Sequence, residues 1–126
     1  MPMPTPEERL VAIVDDDASV RKSARRLIRS LGYRAEAFGS AEEFLDSDKA
    51  TKTACLILDV RMPRVDGLEL QRRLADSDPP IPIVFITARA SEEEERRALR
   101  TGAVAFLRKP VDKEALLRVL VAVLER

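Results

Sequence analysis

Apolar residues in this chain fall into short unbroken runs, separated by stretches where they recur every three or four positions. Leu10-Val11-Ala12-Ile13-Val14 and Cys55-Leu56-Ile57-Leu58 are two such runs. Each is too short for a buried helix and reads as a strand covered on both faces. Ile81 to Thr87, holding Ile83, Val84, Phe85 and Ile86, is a third, with Pro82 limiting pairing at its start. Ala103 to Leu107 is a further strand. Tyr33 to Phe38 behaves differently: Arg34 and Glu36 alternate with Ala35 and Ala37, the pattern of an edge strand.

Between the strands the period changes. Val20, Ala24, Leu27 and Leu31 mark a first helix, which Gly32 stops. Ser40-Ala41-Glu42-Glu43 is a capping box opening a short helix with Phe44 and Leu45. Gly67 to Ser77 is helical, with Leu70 and Leu74 four apart. Ser91-Glu92-Glu93-Glu94 is a second capping box, opening a helix whose first turn holds four glutamates, which suits a helix N-terminus. Spacing pairs Glu92 with Arg96 and Glu93 with Arg97. Only Ala98 and Leu99 anchor this fourth helix, so it is a candidate mobile element. Asp112 caps the last helix, where Leu116, Leu117, Val119, Leu120, Val121, Val123 and Leu124 cover an arc of about 200°. That is wider than one core face needs: either the surplus meets a partner, or its own domain sandwiches the helix. Five strands alternating with five helices call for a doubly wound α/β fold, a parallel sheet with helices on both faces.

Composition narrows the function classes. The 126 residues suit a single domain, with Met1 to Glu8 as a disordered lead-in and the folded unit over residues 9–126. Basic and acidic residues number 22 each, which gives no global pull toward nucleic acid or an anionic membrane. The charge is nonetheless patterned. Lys22, Arg25, Arg26 and Arg29 line the wet side of the first helix, as a solvated face or as a docking surface for an acidic partner. Histidine is absent, which excludes a Ser-His-Asp or Cys-His pair and any His-ligated metal. The one cysteine, Cys55, cannot form an internal disulfide and reads as a small buried hydrophobe. No apolar run approaches the ~18 residues of a membrane span, and the expected location is the cytoplasm.

Four strands end on reactive groups: Asp15 and Asp16, Asp59, Thr87, and Lys109. In a parallel sheet all carboxyl ends share one rim, so groups distant in sequence can converge there. Three carboxylates ~5 Å apart repel by roughly 3 kcal/mol per pair at an effective dielectric near 20. A hard divalent cation removes that penalty, and oxygen-only ligands suit Mg²⁺. Three Asp, one Mg²⁺ and Lys109 sum to zero charge. A phosphoryl group of about −2 on Asp59 would leave the site near −1 and call for added donors, the Thr87 hydroxyl first among them. Thr87 moving inward would leave a void that Phe106 could enter, a two-state element biased by one covalent charge.

The segments VDDDASVRKS, CLILDVRMPRVDG, FITARA and GAVAFLRKP resemble the receiver domain of bacterial two-component response regulators. They are most similar to its FixJ-like branch, which carries a LuxR-type helix-turn-helix output. The likeness runs from about Arg9 to the C-terminus. It implies a flavodoxin-like five-stranded sheet of order 2-1-3-4-5. It implies that Asp59 accepts a phosphoryl group from the phosphohistidine of a sensor histidine kinase. Asp16 would bind Mg²⁺ directly and Asp15 through water, with Asp59 and the Arg61 carbonyl completing the protein ligands. Thr87 and Lys109 would contact the phosphoryl group, Phe106 would be the switch aromatic, and Lys109-Pro110 would be cis. The face made by the fourth helix, fifth strand and fifth helix would form a homodimer on phosphorylation. DNA would be met only through an output domain, which this chain does not include.

Departures from the family pattern bear on function. Arg61 and Arg89 occupy the two positions that tune phosphoryl lifetime, and Val111 replaces the Phe common after Lys-Pro. The Glu-rich fourth helix is unusually acidic for a switching face. Two other readings compete. A Mg²⁺-dependent phosphohydrolase or nuclease could use the same rim but would want acidic residues where Thr87-Ala88-Arg89 stands. A silent receiver, kept only for interaction, would be expected to lack one of the acidic residues, Thr or Lys, and all are present.

Overall fold

The computed structural model describes residues 9–77 and 79–125. The expected lead-in, Met1 to Glu8, lies outside the described residues. The elements alternate: β1 (Leu10–Val14), α1 (Ala18–Ser30), β2 (Arg34–Phe38), α2 (Ala41–Asp46), β3 (Thr53–Leu58), α3 (Gly67–Leu74), β4 (Ile83–Thr87), α4 (Glu92–Arg100), β5 (Ala105–Arg108) and α5 (Lys113–Leu124), with a 3₁₀ turn at Ala50–Lys52 before β3. The strands form one sheet of order β2-β1-β3-β4-β5, and all four pairings are parallel.

The unbroken apolar runs follow from this layering. Alternate residues of a strand face opposite sides, and here both sides are covered. Ala12, Val14, Leu56, Leu58 and Phe85 pack with Phe44 of α2, Leu70 and Leu74 of α3 and Ala98 of α4. Val11, Ile13, Cys55, Ile57, Val84 and Ile86 pack with Ile28 of α1 and with Leu116, Leu120 and Leu124 of α5. β2 lies at an edge, as its alternation indicates. Gly32 follows α1 at φ +95°, the left-handed turn that glycine adopts without strain.

Several local expectations are corrected. The stripe assigned to α1 omits its most buried residue, Ile28, and Leu31 is the C-cap rather than part of the helix. β5 begins two residues later than expected and runs through Arg108. Glu93 pairs with Arg96 at 3.0 Å and with Arg100 at 3.3 Å, not with Arg97. The first capping box is only half formed: Ser40 accepts the Glu43 amide, while the Glu43 carboxylate accepts from Gly39. The box at Ser91 and Glu94 is complete. On α5 the surplus apolar arc faces outward, since Leu117 and Val121 are exposed, as are Leu99 on α4 and Val104 before β5.

Candidate functional site

Asp15, Asp59 and Lys109 each lie one residue past a strand end, and Thr87 is the last residue of β4. β1 and β3 are adjacent central strands, so their terminal carboxylates are neighbours. Backbone pairing continues one step beyond them: the Asp15 amide donates to Phe38 O and the Asp59 amide to Val14 O. Asp16 is exposed at the mouth, whereas Asp15 and Asp59 are buried. One oxygen from each of the three carboxylates lies within 4.8 Å of the others.

Lys109 reaches this cluster from the loop after β5. Its Nζ donates to Asp15 Oδ2 at 3.0 Å and to Asp59 Oδ2 at 3.4 Å. The Lys109-Pro110 peptide is cis. Burial raises the Asp15 pKa against the Asp17 amide and the Lys109 ammonium, and repulsion from Asp59 adds to the rise. Burial alone would lower the Lys109 pKa, but the Asp15 and Asp59 carboxylates more than offset it and the pKa is raised. Three carboxylates facing one ammonium leave a net charge of −2. An all-oxygen set with that deficit fits a hard divalent cation.

Thr87 is fully buried, and its hydroxyl closes a turn, donating to Arg89 O at 3.1 Å and accepting from Arg89 N–H at 3.3 Å. Phe106 is half-buried, with its ring 5.7 Å from that of Phe85. Arg108 covers that ring, its guanidinium carbon 5.4 Å from the centroid. The sequence-assigned acids and lysine are thus brought together, while the Thr87 hydroxyl is committed to its own turn.

Other contacts that hold the site were not read from the sequence. Arg21 of α1 donates to Asp15 O at 2.8 Å, fixing the loop that carries Asp15 and Asp16. Gly67 lies against the Asp59 backbone, where an added Cβ would sit 2.1 Å from Asp59 O. Arg61 pairs with Glu94 at 2.7 Å, and Arg108 with Glu95 at 2.8 Å and Ala90 O at 2.8 Å. Gln71 donates to Ala98 O. These contacts clip α4 to the rest of the molecule although few of its own side chains are buried.

A family model for the response regulator receiver domain matches residues 11–121. The chain belongs to that family. This receiver domain is 45% identical over 117 residues to nodulation protein W of Bradyrhizobium diazoefficiens, covering 93% of this chain and 52% of that protein. It is 36% identical over 106 residues to the transcriptional regulatory protein FixJ of the same species, covering 84% and 52%. It therefore spans about half the length of these curated relatives. Among solved structures, a receiver protein from Burkholderia phymatum superimposes with a TM-score of 0.81 at 45% identity, covering 93% of this chain and 95% of that one. The FixJ-N crystal structure does so with 0.81 at 32% identity, covering 94% of each. The family places this domain in two-component signalling, among phosphoacceptor switches. Among the described residues no helix is long and apolar enough to cross a membrane.

Proposed function

We propose that this receiver domain takes a phosphoryl group on Asp59 from a sensor histidine kinase in a Mg²⁺-dependent step, and passes the change to the α4-β5-α5 face. The observation that carries this reading is the convergence of Lys109 on both Asp15 and Asp59. Asp59 is the buried carboxylate at the end of the central strand, and its attack on phosphorus needs neighbouring charge neutralised. Asp16 would hold the metal directly and Asp15 through water, with Asp59 and the Arg61 carbonyl completing the protein ligands. The metal would screen the carboxylates and the incoming phosphoryl oxygens. Lys109 then neutralises phosphoryl charge from the β5 side. Thr87, once its hydroxyl leaves Arg89, supplies a further donor, and Phe106 turns into the space vacated.

The outward apolar residues Leu99, Val104, Leu117 and Val121 support the α4-β5-α5 face as the surface that responds, forming a homodimer on phosphorylation. Residues 9–126 act as the receiver unit, in the cytoplasm. An output domain would carry any DNA contact, and the domain itself turns over only its own phosphoryl group. The test is incubation with acetyl phosphate and Mg²⁺, followed by intact-mass measurement. One phosphoryl adduct is expected on the parent and none on Asp59→Asn. An adduct that survives Asp59→Asn, or a parent that takes none, refutes the reading.

A further inference from the structure

Arg61 leaves the Asp59 loop and ends on α4. Its amide donates to Asp59 Oδ1 at 3.3 Å, so its backbone is tied to the acceptor carboxylate. Its guanidinium instead meets Glu94 Oε1 at 2.7 Å. The same Glu94 oxygen accepts the Ser91 amide at 2.9 Å, closing the α4 capping box. The Arg61 side chain is 54% exposed and Glu94 only 19%, so the carboxylate is the fixed partner and the arginine the movable one. Arg61 and Asp16 line one open depression of about 320 Å³ beside the acidic cluster. The Arg61 side chain therefore borders open space beside the acidic cluster, into which it can turn.

A phosphoryl group on Asp59 replaces a charge of −1 with one of about −2, which makes it a stronger competitor for the guanidinium. We propose that Glu94 is a positioning residue for phosphoryl loss: it holds the Arg61 guanidinium on the α4 N-terminus and so sets how often that cation covers phospho-Asp59. The inference rests on Asp59 being the acceptor. In the loss step a water oxygen bonds to phosphorus as the P–O bond to Asp59 breaks. The Asp59 carboxylate and inorganic phosphate are released, and the water proton leaves with phosphate or solvent. A guanidinium lying over the phosphoryl oxygens obstructs that approach. Each departure of Arg61 also removes one tie on α4.

Glutamine at the third helical position still satisfies a capping box. Glu94→Gln therefore keeps the helix cap while removing the charge that retains Arg61. Parent, E94Q, R61A and the double variant are phosphorylated with acetyl phosphate and Mg²⁺, freed of donor, and followed by phosphate release. E94Q is expected to slow release about two- to fivefold, the range open to a partly exposed ion pair. R61A is expected to speed it, and the double variant to match R61A. The proposal is overturned if E94Q releases phosphate at the parent rate, or if it has the same effect with Arg61 absent. Thermal melts of E94Q matching the parent exclude a general loosening of α4. A parent that forms no adduct overturns the Asp59 assignment itself, a failure distinct from adducts whose lifetimes ignore Glu94.

Discussion

Lys109 and Asp15 stand 94 positions apart in sequence and 3.0 Å apart in space. Their contact closes the rim of the sheet from its edge to its centre. Removing the ammonium leaves Asp15 and Asp59 facing each other without a counter-charge. Lys109→Ala is expected to keep the fold but lose about 1–3 kcal/mol of stability in low salt. Its affinity for Mg²⁺ should rise, because a competing cation has gone. Urea unfolding and a metal titration check both. After phosphorylation this variant should take up the group but fail to dimerise. Dimerisation equal to the parent's would show that Lys109 does not transmit the change.

Asp15 carries a pH signature. Its folded pKa lies above the ordinary value of 3.8, chiefly through burial. A carboxyl shifted this way contributes stability below its unfolded pKa, and that contribution is lost as pH rises through the folded value. At neutral pH the ionised group therefore costs stability. Asp15→Asn, whose amide oxygen still accepts from Asp17, should stabilise the metal-free protein at pH 7. The gain should vanish in acid below pH ~4. The same variant should bind Mg²⁺ more weakly. Paired melts at the two pH values decide it.

Gly67 sits where a methyl group has no room. An alanine Cβ would lie 2.1 Å from Asp59 O and 3.1 Å from Phe85 Cε1, and the first of these neighbours is backbone. Either the Asp59 loop or the start of α3 must shift. Gly67→Ala is expected to cost roughly 2–4 kcal/mol, measured by denaturant unfolding. It should also impair phosphorylation more than Lys109→Ala does, since it moves Asp59, the proposed acceptor.

Burial pushes the Cys55 thiol up to about 12. In the native protein at pH 8 it should resist a disulfide reagent that titrates it at once in denaturant. Labelling under native conditions should proceed only as fast as the domain opens. Rapid stoichiometric labelling of folded protein would place Cys55 outside the core.

Arg108 joins three things: the Phe106 ring, Ala90 O and Glu95. It is half exposed, so Arg108→Ala should lower global stability by no more than about 1 kcal/mol. Its effect should appear locally, as faster amide exchange in the first turn of α4 and at Ala90. Unchanged exchange there would show that Glu94 and Arg61 hold the segment alone.

The alternation of elements and the acidic rim were legible in the sequence pattern, and the strand order came only through the family resemblance. Unbroken apolar runs ending at Asp15 and Asp59 report a two-sided parallel sheet, because only burial on both faces removes the polar alternation. The family motifs then named the acids and the lysine by position. Tertiary structure alone decided how α4 is held. Its own sequence offers Ala98 for burial and a turn of glutamates that spacing pairs within the helix. Arg61 instead reaches it from the loop after β3, Arg108 from the end of β5, and Gln71 from α3. Such long-range ion pairs follow from which loops the strand order makes neighbours, and local periodicity carries no record of them. The same holds for Ile28: the helix period fixes that one face is apolar, but the angle at which α1 crosses the sheet decides which residue goes deepest.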